Sequence, residues 1–337
     1  MGGRCAQDTA PLSTQPGGGQ QGINREASLS LDSLAKNLAE LSDESKPLVS
    51  SKLANLSATS PEEMVLFLEA WPEMGFERRR QIASQLVELA EEDPKLNFDD
   101  IFIACLRDPD EIVRVRAIEG LWEYENHSLI DHFITMLRED RQESVRAAAA
   151  LALGKFALLA ELVKLRPDDG AKVEKALVAV IDDQEEQIEV RRRAVEAIAT
   201  LTLPNVTEII QEAYQSDDDK MRVSAIYAMG RNSDPAWLPT LVKELGNPDN
   251  EMRFEAAGAC GELGEEEAVP HLVRLFHDLD AQVQLCAIAA LGKIGSNEAE
   301  AALREWLNHP EEHIRGAAED AMEELGFSKD PFPFKII

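Results

Sequence analysis

The chain has 337 residues, 44% of them hydrophobic and 5% aromatic, and carries a formal net charge of −29. There is apolar matter enough for a core, while the charge disfavours a nucleic-acid backbone or an anionic membrane as partner, since like charges repel. Proteins or peptides with basic segments suit it better, and the four cysteines, Cys5, Cys105, Cys260 and Cys286, with no CxxC among them, read as small hydrophobes inside helices rather than as a disulfide framework.

Residues 1–28 are rich in Gly, Gln, Ser and Thr and nearly free of large apolar side chains, a composition that predicts a disordered tail. No apolar signal region opens the chain, and Ala6 stands where a myristoylation start needs Ser or Thr. No stretch approaches the roughly 18 apolar residues of a membrane helix, so a cytoplasmic setting is expected. Leucines such as Leu31, Leu34, Leu38, Leu41, Leu53 and Leu56 predict short helices over 29–60. Residues 61–93 read as a degenerate helical hairpin, as expected where the end of an array meets water.

From there the chain repeats itself. Taking as position zero Val113, Val145, Val190, Met221, Met252, Val283 and Ile314, the intervals are 32, 45, 31, 31, 31 and 31. Position +1 is arginine in every copy but one, Gln284, and position +4 is always alanine, from Ala117 to Ala318. Glycine stands at +9 in Gly154, Gly230, Gly261 and Gly292, and at +12 in Gly264, Gly295 and Gly326. Positions 0, +4, +8 and +11 make one apolar helical face. Asp110, Asp218, Asp249 and Asp280, three before zero, suit the N-cap, and glycine at +12 suits a C-terminal cap. Apolar pairs upstream, such as Phe102/Leu106 and Leu241/Leu245, predict a preceding helix, with Pro239 and Pro270 in its first turn.

Each unit is therefore a helical hairpin that cannot bury its apolar faces alone. Stacking predicts an all-α fold, an α-solenoid of about eight hairpins over 61–326. The 45-residue interval should lengthen one second helix and turn at "RPDDG"; it reads as a tolerated insertion or as a specialised edge for a partner. The arginine column is most simply a stacking device that pairs with loop carboxylates of neighbouring units. The apolar, proline-broken tail 327–337 is expected to fold back over the last hairpin, giving Phe332 and Phe334 a core.

The segments "DPDEIVRVRAIEGL", "NPDNEMRFEAAGACGELG" and "DAQVQLCAIAALGKIG" resemble HEAT repeats, in particular the short HEAT-like class of phycobilisome lyases. The resemblance implies a fold far more than a function. It also implies that the second helices line a concave surface. Positions +2 and +6 would then face the groove, where Val223, Tyr227, Phe254 and Leu285 form an apolar run flanked by Glu255 and Glu119. Such a strip between carboxylates suits a protein or peptide ligand. Trp122 and Trp237 are alternatives, though tryptophan near helix ends more often packs.

Catalytic signals are missing. His309 and His313 are four apart, but Pro310 between them argues against a shared helix face for a metal. The chain has no His-Glu dipeptide, the feature expected of the di-iron hydroxylases among HEAT-like proteins. No phosphate-binding glycine loop or nucleophile elbow occurs in a fitting context. No catalytic, cofactor-binding or metal residue is assigned. The expected role is a non-enzymatic protein-binding scaffold or adaptor. The alternative, implied only by the resemblance, is a bilin lyase or bilin-chaperone subunit acting on a phycobiliprotein, with Cys286 near the edge of the groove.

Overall fold

The computed structural model describes residues 19–329, with side-chain surroundings over 31–325. Every regular element among them is helical, and none of these helices is long and apolar enough to cross a membrane. The chain divides into two compact units, 1–120 and 121–337.

The first unit holds α1 (Gly19–Ser42), α2 (Ser50–Ala54), α3 (Pro61–Ala70), α4 (Phe76–Glu92), α5 (Asp99–Cys105) and α6 (Glu111–Gly120). Helix α1 starts inside the stretch for which composition predicts no structure; the expectations for residues 1–18 and for Phe332 and Phe334 lie outside the described residues. Leu34, Leu38 and Leu41 recur at helical spacing and are buried. A capping box opens α3: Ser60 Oγ accepts from the Glu63 amide at 3.2 Å, and Glu63 Oε2 accepts from the Ser60 amide at 2.9 Å. Two hairpins follow, α3–α4 and α5–α6. Trp71 joins them by donating its indole N–H to buried Asp108 Oδ2 at 2.7 Å, and Arg80 forks onto Asp110 at 2.8–3.0 Å.

The second unit is a solenoid of six hairpins. Its first helices are α7 (Leu129–Glu139), α9 (Pro167–Asp182), α11 (Pro204–Tyr214), α13 (Leu238–Glu244), α15 (Val269–Leu272, continued by a 3-10 turn to His277) and α17 (Asn297–Trp306). Its second helices are α8 (Glu143–Glu161), α10 (Ile188–Ile198), α12 (Asp219–Asn232), α14 (Asn250–Leu263), α16 (Ala281–Ile294) and α18 (Glu312–Lys329). Each second helix packs on the next, so these six make one continuous layer.

Local chemistry fixes the ends. Asp218, Asp249 and Asp280 each accept a backbone amide of the first turn, as Asp110 does in the first unit. Gly264 and Gly295 close α14 and α16 at φ +76° and +67°. Ser233 takes the same left-handed place after α12 at φ +55°, whereas α18 runs straight through Gly326.

The glycine at +9 has a packing reason. A Cβ on Gly230 would lie 2.6 Å from Ala259 Cα, one on Gly261 2.8 Å from Ala290 Cα, and one on Gly154 3.0 Å from Ala197 Cα. In each case the partner is the alanine at +7 of the following second helix. Two small side chains let two backbones meet, and that contact sets the spacing of the layer. Glycine is missing from three of the seven copies: the last has Glu323, where no further second helix follows, and two lie inside the array. Position +9 is Ala199 after α10, and Trp122 after α6, which stops at Gly120.

The +1 arginines do something other than build a continuous ladder. Arg114, Arg146, Arg222, Arg253 and Arg315 each donate to a carbonyl five residues before position zero, at 2.7–3.0 Å, and Gln284 does the same at 2.7 Å. They tie down the turn between the two helices of their own hairpin. Arg146 and Arg253 also reach the next unit, pairing bidentately with Glu186 and Asp278. The insertion lengthens α8 by about a turn and a half, and the chain turns at 162–166, so that Pro167 of "RPDDG" opens α9.

Two stability experiments follow from these contacts. Gly230→Ala and Gly261→Ala should each destabilise the protein by about 1–3 kcal/mol in denaturant melts, because overpacking outweighs the roughly 1 kcal/mol that alanine gains in helix propensity. Arg253 holds the Asp278 carboxyl below the ordinary carboxylate range. A carboxyl with a depressed folded pKa contributes stability that is fully present above the unfolded value of about 4 and is lost as pH falls through the lower folded value. Asp278→Asn should therefore cost about 2 kcal/mol at pH 7, and parent and variant melts should converge below about pH 4.

Candidate protein-binding face

Within the second unit, helical angles put positions +2, +6 and +10 of the second helices on the side away from the apolar face at 0, +4 and +8. Tyr227 and Phe254 are 41% and 37% exposed there, large apolar surface at places where a soluble helix is ordinarily polar. Leu285 is half-buried beside them, and Glu255 likewise. Val223 is buried and supplies little free surface. Glu119 belongs to the first unit, on α6, where it pairs with Arg116 at 2.6 Å.

Much of the charge on this face is already used. Arg192 and Arg193 fork onto Glu189 and Glu196, and buried Ser224 donates to Glu196 at 2.6 Å. Arg231 stands 3.6 Å from Glu262, which also pairs with Lys293. Lys155 donates to the carbonyls of Leu121 and Tyr124 at 2.8 and 2.6 Å and covers the Phe156 ring. Glu255 stands apart. It has no hydrogen-bond or ion-pair partner among the described residues, and burial, reinforced by Glu196 and Glu251, pushes its carboxyl above the ordinary range.

An open groove of about 630 Å³ lies beside Tyr227, between α8, α10 and α12 and the turn preceding α7. Trp122, 64% exposed, and Leu151, 43% exposed, stand in its walls, with Leu158 from the lengthened part of α8. Sequence reasoning set Trp122 aside as a packing residue and passed over Leu151, Leu158 and Arg231. Trp237 does pack: it is buried and donates to Asn232 Oδ1 at 3.1 Å. The signal that could have found Trp122 is its place in the +9 column, where glycine is the rule.

Burial raises the Cys286 thiol to about 11 and the Cys260 thiol to about 12, leaving almost no thiolate at neutral pH. The Cys286 thiol donates to the Phe254 carbonyl at 3.3 Å. His309 stacks flat on the Trp306 ring at 4.8 Å, and His313 points to Glu311 at 3.4 Å.

With this geometry in view, the chain matches the family model for HEAT repeats over residues 100–176 and 206–285. No curated protein matches it. Among solved structures it is similar to the CpcE–CpcF complex of phycocyanin lyase from Nostoc sp. PCC7120, at 17% identity over 84% of this chain and 97% of that one, with a TM-score of 0.50. It is also similar to human deoxyhypusine hydroxylase, at 17% identity over 89% and 98% with a TM-score of 0.35. A third is the Kap95p–RanGDP complex, at 15% over 91% and 42% with a TM-score of 0.42. The first of these supports the helical-repeat fold.

The unpartnered carboxylate gives a direct test. Glu196, Glu251 and Arg193 are the charged groups that act on Glu255, with Tyr227 and Cys286 beside it. A carboxyl whose folded pKa is raised costs stability wherever it is ionised, and the cost fades as pH falls through the folded value. Glu255→Gln should therefore raise Tm at pH 7, with the gain shrinking toward pH 4 in a calorimetric series.

Proposed function

We propose that this chain, built on HEAT repeats across residues 100–176 and 206–285, is a non-enzymatic scaffold or adaptor that holds another protein against the second-helix layer of its C-terminal unit. The observation that carries the reading is the joint exposure of Tyr227 and Phe254 on successive second helices, with Leu285 beside them. Exposed aromatic surface of this kind is where protein interfaces concentrate their binding energy. The net charge of −29 favours partners with basic segments and speeds their approach at low salt. Glu255 adds a half-buried carboxylate that has no hydrogen-bond or ion-pair partner among the described residues.

The test is capture by the full chain and by a Phe254→Ser/Leu285→Ser double variant. Circular dichroism melts should stay within a few degrees of the parent, while the partners retained from a cell extract, quantified by mass spectrometry, fall by about tenfold or more. A folded variant that retains the same proteins in the same amounts would remove this face from the account.

A further inference from the structure

The groove beside Tyr227 has a chemical character of its own. Its walls are apolar, with Trp122, Leu151, Leu158 and Tyr227 all offering surface to solvent. The cations that line it are occupied: Lys155 caps two carbonyls and Arg231 faces Glu262. Of the carboxylates that line it, Glu196 is held by Arg192 and Arg193, and the other two are not held. Glu123 and Glu125, exposed on the turn beside Trp122, have no hydrogen-bond or ion-pair partner among the described residues, and neither has Glu255 beyond Tyr227. At about 630 Å³ the groove has the size of an ordinary ligand site, enough for a few side chains.

We propose that this groove receives a short segment of a partner protein in which apolar and cationic side chains alternate. The apolar side chains sit on Leu151 and Leu158 between the two aromatic rings, and the cationic ones meet Glu123 and Glu125 at one end and Glu255 at the other. An extended segment sends successive side chains in opposite directions, so alternation lets one set fill the groove while the other reaches carboxylates along its edge. A cation here also gains the faces of Trp122 and Tyr227. An acidic segment is repelled at both ends, and a purely polar cationic one leaves the apolar walls wet. The proposal rests on the scaffold reading and narrows it to one place and one kind of ligand.

Glu255 makes the idea separable from a structural role. A residue kept for the fold loses stability when replaced; one kept for a ligand loses binding instead. The experiment measures polarisation of fluorescein-labelled synthetic hexapeptides on the full chain at low salt. The peptides are Gly-Leu-Lys-Leu-Lys-Gly, its Leu/Glu counterpart and its Ser/Lys counterpart. The Leu/Lys peptide should bind at least about tenfold more tightly than either control, and its affinity should fall with added salt. Trp122→Ala should weaken it by about tenfold or more. Glu123→Gln/Glu125→Gln and Glu255→Gln should each weaken it by roughly three- to tenfold, the last with no loss of Tm. Leu68→Ser, on exposed α3 of the first unit, should change nothing. Equal binding of the three peptides, or Leu/Lys binding indifferent to Trp122→Ala, overturns the proposal. If Phe254→Ser/Leu285→Ser abolishes partner capture while Trp122→Ala leaves peptide binding unchanged, the scaffold reading stands and this groove is the wrong place. If neither variant set affects its ligand, both readings fall.

Discussion

The contact between glycine at +9 of one second helix and alanine at +7 of the next decides most of what this chain can be. It brings backbones within van der Waals reach at Gly154–Ala197, Gly230–Ala259 and Gly261–Ala290. Side chains of ordinary size there would hold the helices apart, and the apolar faces at 0, +4 and +8 would no longer close on their neighbours. Hydrophobic burial supplies the driving force, but it is the absence of side-chain volume that sets the pitch. The aspartate N-caps and the +1 arginines then secure each hairpin locally, so the repeat carries its own instructions for length.

That division explains which features could be read in advance. Caps, helix starts and the glycine and alanine columns depend on residues within a turn or two of one another, and their spacing gave the hairpins closely; Asp218, Asp249 and Asp280 stand where periodicity puts them. The face was harder. Helical angles place Val223 and Phe254 in the same column, yet one is buried and the other 37% exposed. Periodicity assigns a column, and it does not say how much of each side chain the neighbours cover. The arginines were legible only in part: Arg146 and Arg253 do reach carboxylates of the next unit, but the partner most of the column shares is a turn carbonyl, and a backbone acceptor leaves no letter in the sequence.

The groove is legible only in hindsight. It needs α8 to run past its usual stop, bringing Leu158 into the wall, and it needs α6 to stop early so that Trp122 falls beyond a helix end. Both are departures from the repeat. Self-similarity is a good guide to architecture because it averages such departures away, and a poor guide to binding for the same reason.

The two internal departures in the +9 column, Trp122 and Ala199, have one more consequence. An array of equal parts offers a visitor the same welcome at every step, and a ligand drawn to one hairpin would be drawn to the next. Where tryptophan or alanine replaces the expected glycine, that equivalence ends. The molecule then has an address along its length, and a partner can be held at a fixed place instead of sliding among look-alike positions.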